Sequence, residues 1–342
     1  MMKALILALA SFVLSWIGTG LVLRYALRNA VLDVPNDRSS HVRPTARGGG
    51  LAIAVVFLVA LLILAARGAI DGGTALVLAA GGSAIAVVGY FDDHKPVPAR
   101  VRILVHVGAA VLVVAVLGGL GEATLMRQGP WGYWLAALIG VLALAWSTNL
   151  FNFMDGIDGI AGSEAAFVSI TGAWLTWHYS GNGGVALAML ALAFSTLGFL
   201  PWNWPPARIF MGDVGSGFLG FLMSALGIAA SRHGAMPVPV WFILGGVFMV
   251  DATLTVGRRM ARGERWFDAH RTHAYQHLAV RYGHLAVTML SIAINLLWLL
   301  PWAWWAASHP QHSLACAFAA LTPLSILALL AGSGRQPRTQ PT

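Results

Sequence analysis

The sequence predicts an all-α, polytopic integral membrane protein with about eleven transmembrane helices, and three observations support this prediction. Hydrophobic residues make up 58% of the 342-residue chain and charged residues only 10%, whereas soluble globular domains carry about 25% charged residues. The mean hydropathy is +0.74. Apolar runs close to the ~20 residues that cross a bilayer as a helix recur along the chain.

Eleven such runs can be marked from the sequence. They lie near residues 4–23, 50–66, 74–91, 102–119, 132–148, 163–179, 184–200, 216–231, 238–256, 285–306 and 313–331. We expect residues 1–331 to form a single transmembrane domain. The polar segment GSGRQPRTQPT, residues 332–342, is predicted to be a disordered cytoplasmic tail because it has too few apolar residues to pack.

The first run begins like a secretory signal peptide, since Lys3 precedes apolar residues and the triplet Ala8-Leu9-Ala10 resembles a cleavage site. Only a few apolar residues precede that triplet, however, and the run continues well beyond it before Arg24. We therefore expect an uncleaved first helix.

The cations are divided unequally between the two ends of the predicted helices. With the N-terminus outside, 17 of the 21 Lys and Arg residues fall in cytoplasmic loops or near cytoplasmic helix ends. This asymmetry predicts an outside N-terminus and a cytoplasmic C-terminus, and it explains the net charge of +8 without nucleic acid. The single Cys316 excludes a disulfide framework and a thiolate metal site.

Eleven of the 13 acids fall on the same side, at or near the ends of spans. Acids contribute little to orientation, and acids in or beside spans are costly and usually functional. The main groups are Asp92 and Asp93 in GYFDDHKP, Asp155 and Asp158 in NLFNFMDGIDGIAG, and Asp213 in IFMGDVGSG. We expect folding to bring them together at one membrane face.

Asn149, Asn152, Asp155 and Asp158 are spaced by three residues. Such residues cover about half of an α-helix surface or one line of a 3₁₀ turn, so the spacing predicts a continuous polar surface. Helix capping accounts for one of them but not for four in register.

Clustered carboxylates repel one another, and a hard divalent cation relieves that repulsion. Mg²⁺ is commonly bound by one or two carboxylates together with substrate phosphates. The acids therefore predict a Mg²⁺ and phosphate site, with Mn²⁺ as a substitute. Arg43, which precedes PTARGGG, and Thr45 and Arg47 within it are candidate phosphate-binding residues. The alternative is that these arginines orient the chain or bind anionic lipid head groups.

In these motifs the chain resembles the bacterial polyprenyl-phosphate N-acetylhexosamine-1-phosphate transferases, membrane enzymes of glycosyltransferase family 4. Between about residues 33 and 285 it carries, in the family's order, DVPNDRSSHVRPTARGGG, GYFDDHKP, NLFNFMDGIDGIAG, FMGDVGSGFLG and ERWFDAHRTHAYQH. The resemblance implies transfer of a sugar-1-phosphate from a UDP-sugar to undecaprenyl phosphate, release of UMP and a need for Mg²⁺. It also implies ten or eleven helices, a cytoplasmic active site in the bacterial inner membrane, and a possible homodimer.

The resemblance also assigns roles to residues. The family's aspartate pair corresponds to Asp92 and Asp93, and its Asn-x-x-Asp-Gly-x-Asp motif to Asn152, Asp155 and Asp158. Its metal-binding aspartate corresponds to Asp213, and its uracil-stacking aromatic to Phe210. Asp213 and Asp155 are thus the expected metal ligands. The expected substrate-binding residues are Arg43, Thr45, Arg47, Asn149, Asn152, Phe210, Arg271 and His273.

The last cytoplasmic motif departs from the family pattern. Many relatives carry an HxHH pattern, whereas this chain reads His273-Ala274-Tyr275-Gln276. That departure resembles an O-antigen-initiating branch, with GlcNAc or a 6-deoxy relative such as FucNAc or QuiNAc as the sugar. The alternative is the phospho-N-acetylmuramoyl-pentapeptide transferase branch of peptidoglycan synthesis.

Three other patterns have competing interpretations. Gly215 to Gly220 satisfies GxGxxG, but no strand precedes it and no acid follows at the required distance, which favours close helix packing over a dinucleotide site. The spacing of His270, His273 and His277 allows zinc, although no carboxylate or Cys ligand is adjacent. Asp251 lies within a span and is expected to pair with an arginine or to line the site. A membrane transporter is the main competing function, but transporters usually place ionisable groups near the bilayer midplane.

The expected reaction is attack by the lipid phosphate oxygen on the sugar-bearing phosphorus. Asp213 with Asp155 or Asp158 would hold Mg²⁺, and Asp92 or Asp93 would act as a base. Because the second phosphate pKa is about 6, the nucleophile is already largely dianionic and the base contributes modestly. A two-step route through a phosphorylated aspartate remains open.

Overall fold

The computed structural model describes residues 2–35, 43–120, 129–232, 236–264 and 270–336. Its elements are α1 Met2–Arg28, β1 Leu32–Asp33, β2 Thr45–Ala46, α2 Gly50–Ala66, α3 Gly72–His94, α4 Ala99–Leu117, α5 Pro130–Met154, α6 Ile160–Leu175, α7 Gly183–Asn203, α8 Asp213–Ser231, α9 Pro239–Leu244, α10 Gly246–Ala261, α11 Ala274–Tyr282, α12 His284–Ile294, α13 Leu300–Ser308 and α14 Ser313–Ala331. A π-helical turn, Asn295–Leu299, joins α12 to α13. The polytopic, helical membrane fold is confirmed.

Within the described residues, eight helices are long and apolar enough to cross a membrane. The other three predicted spans fall on α2 (17 residues), on α6 (16 residues) with the π-helical turn Thr176–Ser180 that follows it, and on α9 with α10 (6 and 16 residues). Helix α2 is about 26 Å long at 1.5 Å per residue, somewhat less than a typical hydrocarbon core, and the other two spans each combine two helical pieces. The count of eleven and the outside N-terminus therefore stay predictions.

Helix α8 lies at the centre of the bundle, and nearly all of its residues are buried. It packs between α3 and α5. A Cβ at Gly220 would meet the Ser147 carbonyl oxygen of α5, and a Cβ at Gly215 would meet Gly50 of α2. The small residues of the GxGxxG pattern thus allow backbones to approach closely, which confirms the packing interpretation.

Backbone hydrogen bonds link two distant segments at the N-terminal end of α8. Strands β1 and β2 are antiparallel, and Ala46 of β2 also forms a parallel bridge with Ile209. The Gly49 amide donates to the Phe210 carbonyl (2.9 Å) and the Gly50 amide to the Met211 carbonyl (2.9 Å). The chain around Arg47 is therefore fixed beside the start of α8.

The end of the chain differs from the predicted disordered tail. Residues 332–336 are described, and Ser333 is fully buried with its hydroxyl hydrogen-bonded to Asp251. The sequence alone shows a polar, glycine-rich stretch. It does not show that Ser333 has a buried partner, because that partner, Asp251, lies in α10. The predicted tail residues 337–342 lie outside the described residues.

The close approach of α8 and α5 generates a stability prediction. Gly220→Ala should lower the free energy of unfolding by about 1–3 kcal/mol, because the added methyl group overpacks against the Ser147 backbone. Thermal unfolding in detergent measures this. Gly108→Ala on α4 is the matched control, since a Cβ there meets nothing within 4 Å. Equal melting temperatures for the two variants would contradict the packing account.

Candidate active site

Asp213 is the centre of a cluster of acids and arginines at one end of the bundle. It is the first residue of α8, and its side chain is 13% exposed. Its Oδ1 accepts a hydrogen bond from Arg47 Nη2 at 2.6 Å, and its Oδ2 accepts from Arg102 Nη1 and Asn152 Nδ2, each at 3.2 Å. Four segments of the chain meet at this carboxylate.

Asp93 holds the start of α8 in place. Its carboxylate, only 1% exposed, accepts from the backbone amides of Asp213 (2.8 Å) and Val214 (3.2 Å) and from Arg47 Nε (2.8 Å). A carboxylate at a helix N-terminus satisfies free N–H groups and favours the helix dipole. Gly212, with φ +76°, is required there because a Cβ would collide with this carboxylate.

Arg102 connects Asp92 to the same cluster. Its Nη1 donates to Asp92 Oδ2 at 2.8 Å as well as to Asp213 Oδ2, while Asp92 Oδ1 accepts from the Val97 amide at 2.6 Å. Sequence reasoning missed Arg102, because a cation in the first turn of a span was counted only as an orientation charge. Its position ten residues after Asp92, across the Pro98 turn, was the available signal.

Arg47 is the second cation of the cluster. Burial alone would lower the pKa of Arg47, but the negative charges of Asp213 and Asp93 raise that pKa above its ordinary value. The guanidinium therefore stays charged and keeps the two carboxylates 2.6 and 2.8 Å from its nitrogens. Of the phosphate-binding residues predicted in PTARGGG, Arg47 is at the cluster.

Arg43 and Thr45 are placed differently. Arg43 is exposed, and the Thr45 hydroxyl donates to the Arg43 carbonyl at 3.0 Å. In the described part of the chain, no hydrogen bond joins either side chain to the acids.

The four residues spaced by three do not share one helix. Asn149 and Asn152 lie on α5, but the helix ends at Met154, so Asp155 and Asp158 lie in the turn that follows. Asn152 faces Asp213 and is oriented by Ser216 Oγ, which donates to Asn152 Oδ1 at 3.1 Å.

Asn149 has hydrogen-bond partners other than the acids. Its Nδ2 donates to the Ala145 carbonyl at 2.7 Å and lies 3.2 Å from His106 Nδ1 on α4. Among the described residues, no hydrogen bond joins this amide group to the acids, in contrast to that of Asn152.

Asp155 differs from the other four acids. Its carboxylate accepts no hydrogen bond and forms no ion pair among the described residues, although it is close enough to Asp213 to feel its charge. Burial, and then the charge of Asp213, raise the pKa of Asp155. An acceptor without a donor in such a place is available to a ligand.

Asp158 connects neighbouring segments. Its Oδ2 accepts from the Ala207 amide at 3.0 Å, its Oδ1 lies 3.3 Å from His284 Nδ1, and its carbonyl accepts from Thr288 Oγ1 at 2.9 Å. These bonds attach the turn after α5 to α12 and to the loop before α8. Sequence reasoning missed His284, which follows Gly283 at the start of a span and belongs to no recognised motif.

His273, a predicted substrate-binding residue, is buried, with its side chain only 2% exposed. The ring stacks on His270, with centroids 4.9 Å apart, and packs against Phe153; its Nδ1 lies 3.8 Å from Asp251 Oδ1. The neighbouring Arg271 is partly exposed. Burial lowers the pKa of His270 to about 3, which favours the neutral ring.

Phe210, the predicted uracil-stacking residue, immediately precedes Met211 and Gly212. It is partly exposed beside the cluster, and its backbone amide donates to the Ala46 carbonyl at 2.8 Å. The backbone pairing therefore fixes its position relative to Arg47 and Asp213.

No three His, Cys, Asp or Glu side chains in the described ranges are placed to bind a metal ion among themselves. The histidines considered for zinc are separated in their contacts, since His277 Nε2 lies 3.1 Å from the Arg335 carbonyl while His270 and His273 stack together.

The fold and the site define a polytopic helical membrane protein with acids and arginines at one end of its bundle. Comparisons with known proteins identify its family. Residues 75–231 match the sequence model of the family described as Glycosyl transferase family 4. The decaprenyl-phosphate N-acetylglucosaminephosphotransferase of Mycobacterium leprae is 30% identical over 322 residues, which cover 83% of this chain and 79% of that protein. The chain belongs to glycosyl transferase family 4.

Two other relatives carry related names. The probable undecaprenyl-phosphate N-acetylglucosaminyl 1-phosphate transferase of Bacillus subtilis is 29% identical over 286 residues, 81% of this chain and 78% of that protein. The phospho-N-acetylmuramoyl-pentapeptide-transferase of Moorella thermoacetica is 32% identical over 224 residues, 61% of this chain and 66% of that protein.

The capping role of Asp93 predicts a large loss of stability on its removal. Asp93→Ala should lower the free energy of unfolding by about 2–4 kcal/mol, because Arg47 loses a buried partner and α8 loses its cap. Asp71→Ala is the control. Asp71 also caps a helix, accepting from the Thr74 amide at 2.9 Å, but it is exposed, so its loss should cost about 1 kcal/mol. Thermal unfolding in detergent compares the two, and equal losses would contradict the assignment.

Proposed function

We propose that this chain transfers N-acetylhexosamine-1-phosphate from a UDP-sugar to undecaprenyl phosphate, releasing UMP and initiating a lipid-linked O-antigen or another cell-envelope polysaccharide. The proposal is carried by one observation: Asp92, Asp93 and Asp213 share two arginines beside the unpaired carboxylate of Asp155. The names of the relatives in Mycobacterium leprae and Bacillus subtilis support the same reaction class.

The described residues suit charge stabilisation of phosphoryl transfer, which depends mainly on positioning and electrostatics. The lipid phosphate oxygen attacks the sugar-bearing phosphorus, a new P–O bond forms, and the bond to the UMP oxygen breaks. Arg47 and Arg102 are placed to compensate the negative charge of the reacting phosphates. Asp93 is almost fully buried and already accepts three hydrogen bonds, so of the two proposed bases Asp92 is the better placed.

The donor set fits a magnesium ion that is completed by substrate and water. Mg²⁺ favours oxygen ligands and is usually bound by one or two carboxylates, with phosphates and waters filling the remaining positions. Asp155 offers a carboxylate without a hydrogen-bond partner, and Asp213 is the nearby charge that most strongly raises its pKa. Asp155 and Asp213 would hold the ion, which when bound would neutralise diphosphate charge.

A lipid acceptor is supported by an apolar cavity of about 420 Å³ between α6, α10, α12 and α14. Its walls include Ile160, Val250, Val287, Leu290 and Leu324, and Tyr275 lies at its edge. A Cβ on Gly156, the residue after Asp155, would collide with the Tyr275 hydroxyl. Tyr275 therefore lies between the cavity and the turn that carries Asp155, and the apolar walls suit an isoprenoid chain.

The finer assignment rests on the last cytoplasmic motif. We infer an O-antigen-initiating enzyme of the inner membrane, active at the cytoplasmic face, because the motif lacks the adjacent histidines of many relatives. The alternative, a phospho-N-acetylmuramoyl-pentapeptide transferase, is favoured by the 32% identity to the Moorella protein.

A substrate panel tests the reaction and separates these alternatives. Purified protein with undecaprenyl phosphate and Mg²⁺ should release UMP from UDP-GlcNAc or a UDP-6-deoxy-N-acetylhexosamine, and EDTA should abolish that release. UMP release from UDP-N-acetylmuramoyl-pentapeptide alone would establish the alternative. Solute accumulation in vesicles without any UMP release would establish transport instead.

Asp213→Asn tests the central carboxylate within the proposed reaction. Turnover should fall by on the order of 10²–10³-fold, because the substitution removes one of the two carboxylates proposed to hold Mg²⁺ while keeping the side-chain shape. The measurement is UMP release per folded enzyme, with melting temperature recorded in parallel. Asp71→Asn, at the opposite end of α3, is the control and should retain full turnover. Near-normal turnover in Asp213→Asn would refute the assignment.

A further inference from the structure

The segment Gly332–Arg335, which follows α14, packs into the protein instead of extending away from it. Gly332 and Gly334 have φ values of +104° and +73°, a conformation that favours glycine. These two turns bring Ser333 into a fully buried position. The Gly334 amide donates to the Thr272 carbonyl at 2.6 Å, and Arg258 Nη1 donates to the Ser333 carbonyl at 2.8 Å.

Asp251 of α10 joins this segment to the start of α11. Its Oδ1 accepts from Ser333 Oγ at 2.8 Å and from the Ala274 amide at 2.8 Å, and its Oδ2 accepts from the Tyr275 amide at 3.0 Å. Asp251 was expected to pair with an arginine or line the site. It instead satisfies the free amides of a helix N-terminus, where a negative charge is favourable.

Helix α11 in turn contacts the turn that carries Asp155. The Tyr275 hydroxyl donates to the Phe153 carbonyl at 3.0 Å. A Cβ at Gly156 would overlap that hydroxyl, so tyrosine and turn are in direct contact on both sides of Asp155. Any shift of the α11 N-terminus therefore moves the backbone next to this carboxylate.

We propose that Ser333 and Tyr275 are positioning residues, and that the Gly332–Arg335 segment fixes Asp155 through Asp251 and α11. The proposal rests on the function proposed above, in which Asp155 acts on the phosphates. Reacting groups must be held within about 0.5 Å of their productive positions, which requires a supporting set of hydrogen bonds. A turn that follows a helix end has few such bonds of its own.

Ser333→Ala in the full-length protein tests the first link. Loss of one buried hydrogen bond to a charged group should reduce kcat about fivefold to tenfold, with less than a twofold change in KM for the UDP-sugar, because substrate contacts stay in place. Ser325→Ala on α14 is the matched control, since among the described residues the Ser325 hydroxyl bonds to the Leu321 carbonyl of its own helix and to no other group. An unchanged kcat in Ser333→Ala would overturn the proposal.

A double-mutant cycle separates positioning from a general loss of stability. Tyr275→Phe keeps the ring and removes only the hydroxyl bond to Phe153. If both residues act through one connected path, the combined effect on kcat should be smaller than the product of the single effects. Multiplicative effects would show independent structural roles and would overturn the proposal.

Amide hydrogen exchange provides a readout that does not depend on activity. Ser333→Ala should speed exchange at the amides of Ala274 and Tyr275, which donate to Asp251, and also at the amides of residues 153–156. Ser325→Ala should change neither. If the wild-type protein transfers no sugar phosphate, the proposed function fails, while this measurement still tests whether the Gly332–Arg335 segment fixes the turn that carries Asp155. Faster exchange at Ala274 and Tyr275 with none at 153–156 would overturn the connection to Asp155.

Discussion

The pairing of three carboxylates with two guanidinium groups is the constraint on which the rest of this end of the protein depends. Asp92, Asp93 and Asp213 are largely removed from solvent, and burying charged groups without partners costs several kcal/mol each. Arg47 and Arg102 offset that cost, but only if a loop, two helix ends and the start of α8 meet within hydrogen-bond distance. The pairing of Phe210 and Met211 carbonyls with the Gly49 and Gly50 amides provides that meeting for Arg47.

Helix packing and charge placement depend on each other through α8. Its glycines allow α8 to lie against α2 and α5 with no side chain between the backbones, so its N-terminus is centred among the polar segments. A helix N-terminus carries partial positive charge and attracts anions. Asp93 occupies that position, which leaves Asp213 oriented towards Arg102 and Asn152. The membrane fold and the candidate site are consequently parts of one arrangement.

Sequence patterns predicted that Asp92, Asp93, Asp155 and Asp213 lie near one another. Each of these acids lies at the end of an apolar run, and the predicted topology places those ends at the same membrane face. The patterns could not distinguish acids that are available to a ligand from acids that hold backbone segments in place. Asp93 and Asp158 have the same residue type as Asp155, yet the first two accept backbone amides and Asp155 does not. Arg102 was counted only as an orientation charge, although its partner Asp92 is ten residues away, and His284 was missed because its partner Asp158 is 126 residues away. Nothing in the sequence reveals that His273 is buried beside Asp251 and Phe153.

The distribution of hydrogen-bond partners narrows which acids can meet a ligand. Both oxygens of Asp158 are engaged by Ala207 and His284, and those of Asp251 by Ser333 and α11, so these two acids hold segments together. A ligand that approaches Asp213 or Asp92 competes with arginine, whereas one that approaches Asp155 displaces no protein donor in the described residues. Phosphates carry the charge that would release Arg47 or Arg102 from a carboxylate, since guanidinium binds phosphate and carboxylate with similar geometry. An anionic substrate is thus a ligand that can take Arg47 or Arg102 from these carboxylates.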